Sequence, residues 1–302
     1  DIFVVIYKAA IFCFFSVFIF AQNAFSGLNT WTHGSTVGLS GGGYLISFQN
    51  EFRNAAMLVN ADRSLKLSIV RYPADINAQS AIINTKLNNH HFGFAVKNIN
   101  YGTFDSRTAD NILTGSFSAN DTQIQINYAR FVYKNKIILG VNSGLFFSQL
   151  EKTNASLIKI SPTALLKAKN FSASIIIENY SKVFNFYTNH SQSINPSVVF
   201  SIHKSFDKYP LEVEMTSISN GQQADRLYYM SMLYKTSNNL YIKGGISTNR
   251  AQRNRGSQLI KNILNDSGFG LGYEFDDITI DFNTYSYSNS HSIYGISISS
   301  KF

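Results

Sequence analysis

Ser-x-x-Lys pairs such as Ser156–Lys159 and Ser205–Lys208 are the nearest that this chain comes to a nucleophile beside a base. In serine enzymes that use this spacing, the pair opens a helix, and Ser-Asp-Asn and Lys-Thr-Gly motifs supply the remaining catalytic groups. Ser156–Lys159 instead falls within a strand pattern, and Lys-Thr-Gly does not occur in the sequence. Chance explains both pairs better than catalysis, so we predict no catalytic residues.

Histidines and acidic side chains could bind a metal ion or exchange protons. His90 and His91 are adjacent, so in a strand their rings point to opposite faces and cannot hold one metal ion together. Glu212 and Glu214 share a strand face and could act as acid and base. Lining a lumen, or bonding to facing Lys or Arg, accounts for them better. We therefore predict no metal site, no cofactor and no enzymatic activity.

Gly268, Gly270 and Gly272 alternate along one face of a strand-like segment. A dinucleotide-binding loop needs such glycines between a strand and a helix, and that context is missing here. Glycines on one strand face leave space for a closely packed neighbour. We expect them to make room for a segment inside the fold or to allow close strand curvature.

The elements that carry these residues are β-strands, because apolar and polar residues alternate from Ser64 onwards. For example, Ile124 and Ile126 fall on one face, and Gln123 and Gln125 fall on the other. Charged residues in the strand patterns lie nearly all on the polar face. A cation at the bilayer midplane costs roughly 2–4 kcal/mol on the lipid face of a barrel and little on the lumen face. The pattern therefore predicts an all-β fold, a transmembrane antiparallel β-barrel.

Composition separates this barrel from a soluble β-sandwich, the alternative with the same alternation. Charged residues make up 15% of the 302 residues and aromatic residues 14%, whereas soluble domains average about 25% charged. A sandwich usually carries denser Lys and Glu on its solvent face, while the polar faces here are mostly Ser, Thr, Asn, Gln and Gly. The net charge of +8 comes from Lys and Arg that are spread singly, so no nucleic-acid partner is predicted.

Both ends of the chain carry export signals. Residues 1–21 predict a signal peptide, with Lys8 before an apolar core that contains Cys13, and Ala21 before the cleavage point. A transmembrane anchor is the alternative, but the apolar core is shorter than the span of about 20 residues that a bilayer needs. The last strand pattern ends at Phe302, and a terminal aromatic resembles the barrel-assembly signal. We therefore place the protein in the outer membrane of a Gram-negative bacterium.

Counting the strands backwards from Phe302 orients the barrel, because the last strand ends on the periplasmic side, where turns are short. The count places the loop 249–266 at the cell surface, together with Arg250, Arg253 and Arg255. Guanidinium groups suit carboxylate or phosphate partners. We predict these arginines as a partner-binding site, with contact to lipid phosphates as the alternative.

The stretch Tyr101–Arg130 has a Tyr-Gly-Thr-Phe ending, an acidic polar turn, a Gly-Ser-Phe-Ser-Ala-Asn-Asp phrase and an alternating strand. With these features it resembles the PorV/PorQ family of outer-membrane proteins. Asn179-Tyr180, Pro196 and Lys208-Tyr209-Pro210 are similar to later landmarks of that family. The chain departs from the family at Ala55, which replaces the proline of an Asn-Pro-Ala motif, and at Tyr180, which replaces a glycine.

The resemblance implies a fatty-acid-transporter-like barrel of about 14 strands, with residues 22–60 as an N-terminal hatch and residues 61–302 as the barrel. It also implies a non-enzymatic component of the type IX secretion system that holds surface secretion or attachment components at the membrane. Its partners would be outer-membrane lipid and those surface components. The alternative is a transporter for hydrophobic ligands. A continuous apolar cavity near the hatch would favour the transporter, since ligand pockets measure about 300–1,000 Å³. A plugged lumen with a polar outer-loop surface would favour the scaffold.

Overall fold

The computed structural model describes residues 25–46, 53–187, 194–219, 226–236, 239–248, 266–288 and 291–302. The predicted signal peptide and the three loop arginines, Arg250, Arg253 and Arg255, lie outside these ranges, so both assignments stay predictions. The helical elements are short, with α1 at Gly34–Gly38 and 3₁₀ turns at Ser26–Asn29 and Ala55–Asn60. No helix in the described ranges is long and apolar enough to cross a membrane.

The rest of the described chain is built from β-strands. They are β1 (Ser64–Arg71), β2 (Asn77–Leu87), β3 (His90–Arg107), β4 (Leu113–Tyr133), β5 (Ile137–Leu150), β6 (Thr153–Lys167), β7 (Phe171–Glu178), β8 (Tyr180–Asn185), β9 (Ser197–Ser205), β10 (Leu211–Ser219), β11 (Arg226–Lys235), β12 (Leu240–Ser247), β13 (Ser267–Phe275), β14 (Ile278–Ser288) and β15 (His291–Lys301). Each strand pairs antiparallel with its neighbours, and β1 pairs with β15.

Strands β7 and β8 are two halves of one barrel strand. Both pair with β6 and follow each other end to end, with Asn179 alone between them. The additional pairing of β5 with β6 closes the sheet. Counted in this way, the described residues form a closed antiparallel barrel of 14 strands, which confirms the predicted fold class.

Alternation along the strands separates a lipid face from a lumen face. Strand β1 alternates strictly between buried and exposed residues, and in β4 Ile126 is 61% exposed whereas Gln125 is 1% exposed. Exposed apolar side chains on a wall with paired backbone groups are suited to a hydrocarbon surrounding. The predicted orientation of the two faces is confirmed at both residues.

The hairpin turns at one end of the barrel are tight. Lys134, Asn135 and Asp276 have φ values of 38°, 54° and 45°, as expected of two-residue turns that match the twist of their strands. The backbone N–H of Phe302 donates to the carbonyl of Arg63 at this same end, 3.2 Å away. Because periplasmic turns are the short ones, this end faces the periplasm. The role of Phe302 in assembly stays a prediction.

The described part of the N-terminal segment, residues 25–46 and 53–60, lies inside the barrel, and we call it the hatch. Its apolar side chains pack against inward-facing wall residues in several clusters. In one cluster Leu45, Met57 and Leu58 meet Ala129 and Ile138. Burying a side chain of this size contributes roughly 1.5–3 kcal/mol, so the hatch is part of the barrel's interior packing.

Candidate functional site: the hatch and the lumen cavity

Wall glycines allow the hatch backbone to touch the strands. A Cβ atom at Gly245 would lie 2.3 Å from the carbonyl carbon of Leu39, and one at Gly268 would lie 2.4 Å from the carbonyl oxygen of Val37. A Cβ atom at Gly295 would lie 2.6 Å from the Cα atom of Gly34, the first residue of α1. The space that we expected Gly268 to provide is therefore occupied by the hatch.

Replacing Gly245 by Ala is expected to displace the hatch, because the new methyl group would overlap the Leu39 backbone. Gly244→Ala is the matched control, since its Cβ would meet only the flexible end of Met232, 3.0 Å away. Trp31 is the single tryptophan of the chain and lies in the hatch, so its fluorescence reports displacement. We expect a red-shifted emission in Gly245→Ala and none in Gly244→Ala. Identical spectra for the two variants would contradict this docking geometry.

Polar side chains of the wall form hydrogen bonds with backbone groups in the first part of the hatch, residues 25–46. The Ser68 hydroxyl accepts from the N–H of Gly34 at 2.7 Å, and the Ser80 hydroxyl donates to the carbonyl of Thr32 at 2.9 Å. These bonds matter because a buried backbone group without a partner costs about 1–3 kcal/mol. Small polar residues on the lumen face thus act as docking points for the hatch.

A buried ion pair adds to this docking. The Lys243 ammonium group donates to Asp281 at 2.8 Å and to the hydroxyl of Ser35 in α1 at 3.1 Å. The side chain of Lys243 is fully buried and that of Asp281 is 5% exposed. Removing one partner of such a pair leaves an uncompensated buried charge, so the pair ties the wall firmly to the hatch helix.

Glu214 holds the hatch turn that follows α1. Its two carboxylate oxygens accept from four consecutive backbone N–H groups, those of Gly43, Tyr44, Leu45 and Ile46, at 3.0, 2.8, 2.5 and 3.0 Å. The Thr216 hydroxyl donates to the same carboxylate at 2.7 Å. Glu214 is 1% exposed. Successive N–H groups that converge in this way form an anion-binding concavity, and Glu214 fills it.

Asn54 holds the second part of the hatch, residues 53–60. Its side-chain oxygen accepts from the N–H of Ala56 at 3.1 Å and begins the 3₁₀ turn, while its amide donates to the carbonyl of Tyr44 at 3.0 Å. Ala55 occupies the position where the PorV/PorQ motif has proline, and the turn forms nevertheless. Side-chain capping by Asn54 therefore begins this turn although Ala55 is not a proline.

His33 begins the hatch helix α1 as a neutral acceptor. Its Nδ1 accepts from the N–H of Ser35 at 3.4 Å. Burial, together with the nearby positive charges of Lys66, Lys243 and Lys97, lowers the pKa of His33 to about 3. The imidazole thus stays neutral at physiological pH and keeps the lone pair that this cap requires.

A cavity of about 580 Å³ lies between the hatch and the barrel wall. One side of it is aromatic and aliphatic, with contributions from Trp31, Tyr72, Tyr285, Ile218, Leu227 and Ile293. The Trp31 ring packs edge-on against the Tyr285 ring, with 4.9 Å between the ring centroids. The Tyr72 hydroxyl donates to the Trp31 carbonyl at 2.8 Å. These contacts hold the hatch side of the cavity in place.

The opposite side of the cavity is basic. Arg53, Lys97 and Lys159 line it together with Glu178, and each of the three basic groups interacts electrostatically with Glu178. Three basic side chains face a single carboxylate among the residues that line the cavity. An anionic group placed there would stabilise the charged forms of these side chains. The cavity therefore combines an apolar side with an anion-accepting side.

The wall beside the cavity is interrupted at Asn179. Strand β7 pairs with β9 as far as Glu178, whereas β8 pairs with β6 and, within the described residues, with no strand on its other side. Glu178, Asn179 and Ser197 line the cavity at this point. The cavity thus reaches the wall where, among the described residues, β8 has a partner strand on one side only.

The structure shows where the residues that the sequence suggested for catalysis or metal binding lie. Ser156 and Lys159 lie on opposite faces of β6 and cannot act together. His90 and His91 also lie on opposite faces, as predicted, and His91 is buried. Glu212 and Glu214 both lie on the lumen side, which is one of the two roles expected for them. Glu212 bonds to His203, and Glu214 bonds to the hatch backbone.

The basic cavity residues Arg53, Lys97 and Lys159 were missed by the sequence reading. The available signal was that Lys97 and Lys159 fall on the polar faces of their strands. This signal places them in the lumen but does not bring them together. In the described residues, no three His, Cys, Asp or Glu side chains gather as they would around a metal ion.

The closed wall, the apolar outer face and the interior hatch define an outer-membrane β-barrel with a plugged lumen. Solved structures share this fold. The Pseudomonas putida toluene transporter TodX is similar with a TM-score of 0.56 and 12% identity, over 89% of this chain and 95% of that one. A TodX mutant, a monoaromatic hydrocarbon channel, has a TM-score of 0.57 and 13% identity, over 89% of this chain and 99% of that one. A Pseudomonas aeruginosa FadL homologue has a TM-score of 0.53 and 9% identity, over 94% of this chain and 99% of that one.

No family model and no curated protein matches the chain. At the identities above, the likeness to solved structures shows the fold alone. Nothing in these comparisons supports the PorV/PorQ family or type IX secretion specifically. That membership stays a prediction.

Proposed function

We propose that the protein admits small amphipathic organic acids through the outer membrane. The observation that carries this proposal is the 580 Å³ cavity, with its apolar side, its basic side and its contact with the hatch. The volume lies within the range of about 300–1,000 Å³ that is usual for small-molecule sites. The shared fold with a toluene transporter supports a hydrophobic cargo.

Each side of the cavity would bind a different part of such a ligand. The apolar side, with Trp31, Tyr285 and Leu227, would bury the hydrocarbon part at roughly 25 cal/mol per Å². Lys159 and Arg53 would donate hydrogen bonds to the carboxylate on the other side. Because hydrogen bonds to charged groups contribute about 1.5–3 kcal/mol each, the acid should bind better than a neutral analogue.

The interrupted wall offers a route out of the cavity. In this proposal the ligand enters from the cell surface, occupies the cavity above the hatch and leaves sideways into the bilayer past Asn179. A sideways route suits a hydrophobic molecule, since it avoids the polar, hatch-filled lumen below. The surface-scaffold role that the PorV/PorQ resemblance implies would be favoured by a plugged lumen with a polar outer-loop surface. The hatch lies in the lumen, but residues 249–265 of the outer loop lie outside the described ranges.

Fluorescence of Trp31 tests the proposal directly. The purified protein in lipid nanodiscs is titrated with a medium-length ω-bromo fatty acid and, separately, with the matching ω-bromo alcohol. Bromine quenches tryptophan on contact, so we expect saturable quenching with the acid bound about tenfold more tightly than the alcohol, as one charge-assisted hydrogen bond predicts.

Lys159→Met should remove most of this preference for the acid, while Lys136→Met, an exposed change in the β4–β5 turn, should not. Quenching that is absent, that does not saturate, or that ignores Lys159→Met would overturn the proposed ligand class.

A further inference from the structure

A histidine, a tyrosine and an arginine meet on the outer face of the barrel near its periplasmic end. His90 begins β3 and lies directly opposite Arg130 of β4, and Tyr128 lies two residues before Arg130 on the same strand face. The Tyr128 hydroxyl lies 2.7 Å from Nδ1 of His90. The two rings stack with 5.8 Å between their centroids. We call these three residues the rim cluster.

The rim cluster lies where the hydrocarbon of the bilayer ends and the head groups begin. Strand β4 ends at Tyr133, three residues after Arg130, which at about 3.3 Å per residue places Arg130 roughly 10 Å from the periplasmic turn. Phe92, Phe94 and Ile126 continue the same outer face towards the middle of the wall, and all three are exposed. The face therefore passes from apolar side chains to polar and charged ones, as it should beside a lipid whose chain and head group contact different residues.

The surroundings of the rim cluster are basic. The segments that carry it, residues 88–92 and 126–139, contain Arg130, Lys134 and Lys136 but neither Asp nor Glu. Arg130 is exposed and forms none of the ion pairs found within the described ranges. A guanidinium group binds a phosphate group through two parallel hydrogen bonds, and basic residues at a membrane surface attract anionic lipids. The charge of this region thus favours an anionic head group.

The pair of His90 and Tyr128 keeps a proton to donate in either tautomer of the imidazole. If Nδ1 accepts from the Tyr128 hydroxyl, the ring N–H is at Nε2 and can donate outwards. If Nδ1 donates instead, the hydroxyl proton is available. Side chains that lie directly opposite each other on paired strands have Cβ atoms about 4.5–5.5 Å apart. His90 and Arg130 can therefore donate to one phosphate group from two neighbouring strands.

We propose that the rim cluster binds the head group of an anionic phospholipid in the periplasmic leaflet. Arg130 holds the phosphate group, the pair of His90 and Tyr128 donates a further hydrogen bond, and an acyl chain lies along Phe92 and Phe94. A lipid fits better than a free phosphate ion, because the cluster is continuous with the apolar outer face. Such a site does not depend on what passes through the lumen.

Native mass spectrometry of the detergent-solubilised barrel measures this binding. Phosphatidylglycerol and phosphatidylcholine with identical acyl chains are titrated separately, so that only the head group differs. We expect phosphatidylglycerol to bind about tenfold more tightly, since the ammonium group of choline is repelled by the basic surroundings that favour the anionic lipid.

Two substitutions locate the site, in barrels whose heat-modifiable band is normal. Arg130→Gln should reduce the preference for phosphatidylglycerol to about twofold or less, because the bidentate contact is lost. Tyr128→Phe removes one donor and keeps the ring, so it should reduce the preference only in part, by about threefold.

Lys204→Gln is the matched control. Lys204 is also an exposed cation on the outer face near the periplasmic end, in β9, but the residues opposite it are Phe171 and Val213. We expect this variant to keep the native preference, and an excess of inorganic phosphate to leave phosphatidylglycerol bound. Equal affinities of the native protein for the two lipids, or equal losses in Arg130→Gln and Lys204→Gln, would overturn the site. Displacement by inorganic phosphate would show that the cluster takes free anions and would overturn the lipid assignment.

Discussion

Glu214→Gln is expected to release the hatch and to open a water path through the barrel. The carboxylate accepts from four hatch N–H groups at 2.5–3.0 Å. A glutamine would present its own N–H₂ group to two of these four donors. Losing two bonds to a charged acceptor costs about 3 kcal/mol or more, which lowers the ratio of closed to open hatch by about a hundredfold.

Conductance in planar bilayers measures this release. We expect small, infrequent currents from the native protein and larger, persistent currents from Glu214→Gln. Glu212→Gln is the matched control, because Glu212 lies two residues away on the same lumen face and its carboxylate meets His203 at 3.0 Å. Currents that stay at the native level in Glu214→Gln would show that Glu214 does not hold the hatch closed. Equal currents from both variants would attribute the effect to lumen charge instead.

The barrel itself could be predicted because its signal is local. A period of two along a strand is set by backbone geometry, so Ile126 and Gln125 report their faces without any knowledge of what surrounds them. The glycines were equally readable, since Gly268 on a strand face indicates a close neighbour wherever that neighbour comes from. Only the neighbour's identity, the hatch at Val37, required the structure.

The site could not be predicted because it exists only after the barrel closes. Lys97, Lys159 and Arg53 come from three elements far apart in sequence, and each has an ordinary local pattern. Glu214 reads as one more polar lumen residue, since its partners are backbone N–H groups that carry no sequence signal. Asn179 was visible as a landmark, but without a glycine at position 180 the sequence did not show that Asn179 itself takes the left-handed conformation.

Lysine on the lipid face is expected to block barrel assembly, in Ile126→Lys of β4 and Met230→Lys of β11. Both side chains point outwards near the middle of their strands and are 61% and 44% exposed, so the new ammonium group would lie in hydrocarbon at a cost of roughly 2–4 kcal/mol. Lumen-side positions such as Gln125 and Thr279 are poor places for a control lysine, because both residues are 1% exposed and tightly packed.

Leu227→Lys is the better control for these lysines. It makes the same kind of exchange on β11, three residues before Met230, but its side chain lines the 580 Å³ cavity, where an ammonium group has room. We expect the heat-modifiable, folded band in membranes from Leu227→Lys and its loss or strong reduction in Ile126→Lys and Met230→Lys. Folding of all three variants to the same extent would mean that the outer face does not meet lipid. Failure of Leu227→Lys alone would mean that the apolar side of the cavity does not admit a charge.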